Sequence, residues 1–164
     1  MHPIYDGSRR RLAADVPTFG VDDLPEPPPA GVPITLTFLT PTRLVHNGTN
    51  ATPAEFHVFF RNVLRRVNLL NHFHCAGELW DDALDLIAEA GRITAATARL
   101  RWLEWDRYSA RQGQRVPMGG FIGRVSYAGN LCRLWPWLAL GQWVHVGKGA
   151  TLGLGEHRVE VGEG

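Results

Sequence analysis

The stretch of this chain that leaves its fold the fewest choices is HVGKGATLGLGEHRVE, residues 145 to 160. Gly147, Gly149, Gly153 and Gly155 fall within nine positions, and the chain's only lysine, Lys148, stands between the first two. A backbone so stripped of side chains is a loop that something must approach closely. Two phosphate-binding motifs fail on spacing. A P-loop has four residues between its first glycine and the Gly-Lys pair, then a Ser or Thr; here five residues separate Gly141 from Gly147, and Gly149 follows Lys148. The dinucleotide fingerprint has two residues between its second and third glycines and opens a helix. Here three lie between Gly149 and Gly153, and the tail that follows reads as strand.

The loop must therefore be explained by the rest of the chain. Its 164 residues, 45% apolar, suffice for one globular core. A net charge of only +1 gives no overall field for nucleic acid, so any basic surface is local. Of the 17 basic residues 16 are arginine, which suits bidentate phosphate contacts but also follows from a biased genome composition. No stretch approaches the roughly 18 apolar residues of a membrane span, and the N-terminus lacks the apolar core of a signal peptide. That points to a cytoplasmic protein with no membrane partner. Cys75 and Cys132 are far apart and neither belongs to a C-x-x-C pair, which gives no support to a disulfide framework or a zinc ribbon. Asn47-Gly-Thr49 and Asn50-Ala-Thr52 match glycosylation sequons, but without an export signal they read as turn residues.

Residues 1–31 carry three arginines, an acidic patch and the run PEPPPAG, and read as an extended linker or N-terminal extension. Residues 32–164 then form one domain. A strand near 33–40 alternates Ile34, Leu36 and Phe38 with Thr35 and Thr37. Thr52, Pro53 and Glu55 have the spacing of a capping box, opening a helix whose core face is Phe56, Phe59, Phe60, Val63, Val67 and Leu70. Its other side carries His57, Arg61 and Arg65 four apart, with Arg66 beside them, either a solvated face or a ridge for phosphates. A second, acidic helix over GELWDDALDLIAEAG turns Trp80, Leu84 and Ile87 inward and stops at Gly91; the spacing of Asp81, Asp82 and Asp85 fits its solvent side. Strands follow near 99–107 and 120–128, joined by a loop carrying Arg111, Arg115 and Pro117. Asn130 caps a further helix with Pro136 in its first turn, and the last strand lies near 156–161.

With the acidic helix set aside as an insertion, the order is βαββαβ. That predicts an α+β, ferredoxin-like, RRM-like domain, with a four-stranded antiparallel sheet covered by helices on one face. Single-stranded RNA modules stack bases on the open face of such a sheet, although GGFIGRVSY lacks the Phe-x-Phe spacing of an RNP motif. On that reading Trp102, Trp105 and Tyr127 are not all core, and strand alternation puts Trp102 and Trp105 on opposite faces unless a bulge intervenes.

FLTPTRL at 38–44, FFRNVLRRVNLL at 59–70, WDRYSARQ at 105–112, GGFIG at 119–123 and HVGKGATLGLG at 145–155 together resemble the C-terminal half of CRISPR precursor-RNA processing endoribonucleases, members of the RAMP superfamily. The resemblance spans about residues 32 to 161. It implies a pair of ferredoxin-like domains in the family, a C-terminal glycine-rich loop lying against CRISPR repeat RNA, and an N-terminal domain or a CRISPR effector complex as a partner. Gly147, Gly149, Gly153 and Gly155 would then let backbone amides meet phosphates, with Lys148 adding a charge. Arg107, Arg111 and Arg115 come from the most basic window of the chain, Arg99 to Arg124, with six arginines against two acids.

The implied reaction is metal-independent attack of a 2′-OH on the adjoining phosphate, leaving a 2′,3′-cyclic phosphate. It needs a base, an acid and cations, with no cofactor. Histidine suits both proton roles. Family members commonly supply it from the N-terminal domain, so within this chain His145, beside the loop, is the best candidate, followed by Tyr108 and His57. His72, His74 and Cys75 in NHFHC invite a zinc reading, but they lack a fourth ligand and read better as a helix end. Three functions stand: the endoribonuclease or its C-terminal portion, a non-catalytic RAMP subunit holding guide RNA, and an unrelated ferredoxin-like interaction or small-molecule domain.

Overall fold

The structure, a computed structural model, describes residues 4–13, 18, 20–75, 77–78, 82–110 and 113–162. Within the first 31 residues, β1 (Tyr5–Asp6) and β2 (Arg11–Leu12) pair as a small exposed hairpin. Further on, the carbonyls of Pro25 and Pro28 accept bonds from Trp135 Nε1 at 2.6 Å and Cys132 Sγ at 3.6 Å.

The body of the chain begins with β3 (Ile34–Thr42), followed by the hairpin of β4 (Leu44–His46) and β5 (Thr49–Ala51). Asn47 and Gly48 turn that hairpin with positive φ, as expected of turn residues. Then come α1 (Phe56–His74), α2 (Ala83–Ala90), β6 (Thr94–Leu103), the hairpin of β7 (Asp106–Ser109) and β8 (Gln114–Pro117), β9 (Gly120–Ala128), α3 (Trp135–Val144) and β10 (His157–Val161).

β10, β3, β9 and β6 form one antiparallel sheet in that order. The sequence of β3, α1, β6, β9, α3 and β10 is the βαββαβ order read from the sequence, and the sheet is that of a ferredoxin-like fold. Ile34, Leu36 and Phe38 of β3 and Val125 and Tyr127 of β9 join Phe56, Phe59, Phe60 and Val63 of α1 and Leu138 of α3 in the core. The alternation of β3 thus does what it predicts. The opposite face is polar: Thr35 and Ser126 share a 2.8 Å hydrogen bond, and Thr37 aligns with Arg124, which aligns with Arg99.

Five local expectations are corrected. The strand expected to run through 107 begins at Thr94 and ends at Leu103, and the residues beyond it form the β7–β8 hairpin. Trp105 therefore lies past the strand end, where alternation says nothing about it, while Trp102 packs edge-on against Phe121 at 4.9 Å and Tyr127 is fully buried. No capping box forms at α1. Glu55 is the N-cap with no side-chain bond, and Thr52 Oγ1 instead accepts the amide of Ala54 at 3.2 Å. Tyr127 explains the shift, because its hydroxyl donates to the carbonyl of Pro53 and pins that residue outside the helix.

In α2, Leu84 is 80% exposed and Leu86 and Ala90 are buried; Ile87 packs against the core, and Trp80 and Asp81 lie outside the described residues. Leu84 and Leu86 stand two positions apart and point to opposite sides of the helix, and the inward face is the one shared by Ala83, Leu86, Ile87 and Ala90. Finally, Asn130 holds the amide of Cys132 at 3.2 Å in a turn, and Leu134 is the N-cap of α3, with Pro136 in the first turn as expected. His72, His74 and Cys75 do form the end of α1.

Candidate functional site

The glycine-rich segment leaves α3 at His145 and returns into β10. It is clasped by the residues that follow the core part of β3. Lys148 donates its amide to the Arg43 carbonyl at 2.9 Å, and Gly155 to the Pro41 carbonyl at 3.1 Å. Thr40 closes both ends: its hydroxyl donates to the Gly153 carbonyl at 3.1 Å and accepts the amide of Glu156 at 2.9 Å. Gly147 (φ 86°) and Gly155 (φ 74°) are left-handed, and a Cβ on either would collide with a backbone carbonyl oxygen, that of Arg43 or of Val146. The stripped backbone thus serves first to fit the loop against residues 40–43. Among the described residues the amides of Gly149, Ala150 and Thr151, opening a short 3-10 turn, make no hydrogen bond within the chain. They are donors still to be satisfied.

Beside this loop is a cavity of about 420 Å³ lined by Val45, Asn62, Arg65, Arg66, Leu69, Gly147 and Lys148. Two arginines from α1 meet the loop lysine there, and no carboxylate is among the lining residues. Asn62 sets one wall, its amide donating to the carbonyls of Val45 and Val58. Arg66 Nε reaches the Val144 carbonyl at 3.3 Å, fixing the guanidinium between α1 and the end of α3. Three cations around one open space suit an anion such as a phosphate.

His145 faces elsewhere. It lines a second cavity of about 390 Å³ with Gln142, Trp143, Glu156, His157 and Arg158. The two cavities share no lining residue. His145 Nδ1 meets the Leu154 carbonyl at 3.3 Å. His157 is fully buried, with Nδ1 3.1 Å from the Gly155 carbonyl and its ring edge-on to Phe59 at 5.1 Å. Burial in this apolar setting holds its pKa at about 4, against the opposing bond from Gly155 and with a small contribution from His145. His157 is neutral at pH 7.

Tyr108, 65% exposed, stands with Asp106 and Arg115 around a shallow hollow on the β7–β8 hairpin. Arg107 is exposed on the same hairpin, and Arg111 lies outside the described residues. The residues singled out in the sequence therefore fall in three places: Gly147 and Lys148 at the basic cavity, His145 at the second cavity, and Tyr108, Arg107 and Arg115 on the hairpin. The sequence placed Arg65 and Arg66 on an exposed helical face, but nothing in it brings them to Lys148. It also missed His46, whose ring lies edge-on to His57 at 5.9 Å, with Glu55 Oε2 at 3.8 Å from His57 Nε2. Among the described residues, no group of three His, Cys, Asp or Glu side chains is placed to hold a metal ion, and no helix is long and apolar enough to cross a membrane.

A ferredoxin-like sheet whose last helix and last strand are joined by a clasped glycine loop beside a basic cavity defines a RAMP-type domain. The chain belongs to the Cas6 family of CRISPR-associated endoribonucleases, which its residues 36–157 match. It is similar to a Cas6 protein solved as a product complex (TTHA0078), with 27% identity and a TM-score of 0.53, over 81% of this chain and 53% of that one. Similarity to Thermus thermophilus Cas6 (TTHB231), at 17% identity and a TM-score of 0.60, covers 85% of this chain and 56% of that one. A partial Cas6-RT-Cas1-Cas2 complex shares the fold at 16% identity and a TM-score of 0.58, over 82% of this chain and 23% of that one. The chain thus spans about half the length of the Cas6 chains it matches. No curated protein matches it significantly.

Proposed function

We propose that this chain is the RNA-holding part of a repeat-RNA processing endoribonuclease, acting in the cytoplasm, with residues 32–164 as its RAMP unit and residues 1–31 as an extension. The observation that carries this reading is the cavity where Arg65 and Arg66 meet Lys148 against the glycine loop. An RNA phosphate seated there gains three cations, and the unpaired amides of Gly149, Ala150 and Thr151 supply further donors to the strand that continues from it. Arg61 and His57 extend the same face of α1 in steps of about 6 Å, four residues at 1.5 Å each. The exposed hairpin, with Arg107, Tyr108 and Arg115, offers a second basic contact, and Arg111, outside the described residues, is a further RNA-binding candidate.

The reaction is metal-independent attack of the 2′-OH on its neighbouring phosphate, for which cations stabilise the crowded phosphorane while a base and an acid move protons. His145 and Tyr108 are this chain's candidates for the proton steps. Neither lines the basic cavity, which supports the reading that the chain alone holds repeat RNA and cleaves it slowly or not at all. The partner that completes it is a second ferredoxin-like domain or a CRISPR effector complex. A non-catalytic guide-holding subunit is the alternative that the same separation favours.

The test is a gel of end-labelled repeat RNA incubated with the purified chain, with and without EDTA, beside His145→Ala. Retention of uncleaved RNA, or slow EDTA-resistant cleavage, is expected. Rapid cleavage abolished by His145→Ala would place a full active site in this chain, and cleavage that requires magnesium would contradict the proposed reaction.

A further inference from the structure

The cavity of about 390 Å³ between the end of α3 and the start of β10 takes no part in the phosphate site. Its walls are fixed by hydrogen bonds. Gln142 Oε1 accepts the amide of Val159 at 2.8 Å, and His145 and His157 are each tied through Nδ1 to a loop carbonyl. Such walls lose little freedom when a ligand enters. The volume lies at the small end of ligand sites, large enough for one nucleotide and too small for a folded partner.

The chemistry of the lining is lopsided. A carbonyl can only accept, so each imidazole donates from Nδ1 and leaves Nε2 as an acceptor. Nε2 of His157 is buried without a partner. Glu156 adds a carboxylate that makes no ion pair among the described residues. Trp143, 66% exposed, lines the cavity with an indole, and Arg158, exposed on β10, is the basic residue of the lining. A fitting ligand brings paired N–H donors to the carboxylate, a flat ring to the indole and an anion to the arginine.

Among nucleobases, guanine alone carries two adjacent donors on its Watson–Crick edge, N1–H and the N2 amino group. Together they match a carboxylate as an arginine fork does. Adenine and cytosine set a lone pair beside their amino group, which would face the carboxylate oxygens, and uracil has one N–H between two carbonyls. We propose that this cavity binds the guanine base of a nucleotide, with N1–H and N2–H on Glu156, the ring against Trp143 and a phosphate on Arg158. The inference rests on the proposed RNA function only for the source of that nucleotide, a guanosine in a single-stranded part of the RNA.

The test titrates the full chain with GMP, IMP, AMP and CMP while following the indole N–H resonances by NMR, the Trp143 signal being assigned from Trp143→Phe. GMP is expected to shift that resonance. IMP, which lacks the N2 amino group, should bind roughly tenfold more weakly, and AMP and CMP should leave the signal unmoved at the same concentration. Glu156→Gln keeps the backbone bond to Thr40 but replaces one acceptor oxygen by a donor. It should lose the preference for GMP at least tenfold without changing the melting temperature.

Equal shifts from all four nucleotides, no shift from GMP, or an unchanged preference in Glu156→Gln would overturn the proposal. A second arm compares a single-stranded RNA containing one guanosine with the same RNA containing inosine. A weaker inosine RNA supports RNA as the source, whereas GMP binding with indifference between the two RNAs overturns that source in favour of a free guanine nucleotide. Failure here is distinguishable from failure of the phosphate site, since Lys148→Ala should weaken RNA binding and leave the GMP-induced shift intact.

Discussion

The amide of Lys148 donates to the carbonyl of Arg43 at 2.9 Å, so the loop that carries the chain's only lysine is held by the residues just past the core of β3. Thr40 completes the hold with its two bonds to Gly153 and Glu156. Thr40→Val removes both and should lower unfolding free energy by about 1–3 kcal/mol, with RNA affinity falling alongside. Thr40→Ser keeps the hydroxyl and should recover most of both. Urea denaturation and RNA titration of the two variants check this; equal damage from Ser and Val would deny the hydroxyl its role.

Gly147→Ala should be worse than either, because the new Cβ meets the Arg43 carbonyl oxygen at a left-handed φ of 86°. A loss of about 2–4 kcal/mol follows from combining strain with collision. Gly153→Ala, where nothing lies within 4 Å of the new Cβ, should cost only the left-handed backbone, about 1 kcal/mol. Thermal melts of the pair rank the two effects.

Tyr127 is fully buried, with its hydroxyl bonded to the Pro53 carbonyl. Burial raises its pKa well above the usual tyrosine value, so it stays a neutral donor throughout the working range. Tyr127→Phe leaves that carbonyl unpaired and should destabilise the fold by about 1–3 kcal/mol. Amide exchange in residues 52–56 should speed up more than exchange at the far end of α1, since the lost bond anchors the helix entry.

His157 makes stability depend on pH. Its folded pKa of about 4 lies below the unfolded value of 6.5, so between those pH values the unfolded chain binds a proton that the native one refuses. Stability from this group is full above about pH 6.5 and falls as pH drops toward 4, by on the order of 3 kcal/mol in all. His157→Leu should flatten the slope of unfolding free energy over pH 4 to 6.5 whatever its effect at pH 7. An unchanged slope would assign the dependence to other groups.

What the sequence shows and hides follows from the range of each signal. The alternation of Ile34, Leu36 and Phe38 and the helical spacing of Phe56, Phe59, Phe60 and Val63 are local, so strand, helix and sheet order are all legible. The end of β6 is not, because Glu104 and Trp105 carry no glycine or proline to mark the break before the hairpin. The cap of α1 fails for a different reason: Tyr127, on a distant strand, holds Pro53 outside the helix. The site divides in the same way. Lys148 stands out in the sequence by its glycines, whereas Arg65 and Arg66 look like any solvated helical face until the fold sets them beside it. His157 reads as one polar residue of a closing strand, and only packing against Phe59 and Gly141 reveals a buried, neutral imidazole.

The central claim is that Lys148, Arg65 and Arg66 hold RNA phosphates, and it is most directly tested by the salt dependence of repeat-RNA affinity, measured by fluorescence anisotropy for the wild type, Lys148→Ala and Arg65→Ala. Each lost contact should reduce the slope of log affinity against log salt by about 0.7 on single-stranded RNA, with weaker binding at low salt and an unchanged melting temperature. Binding that persists with the full slope in both variants, or a wild-type chain that binds no repeat RNA, would contradict the account.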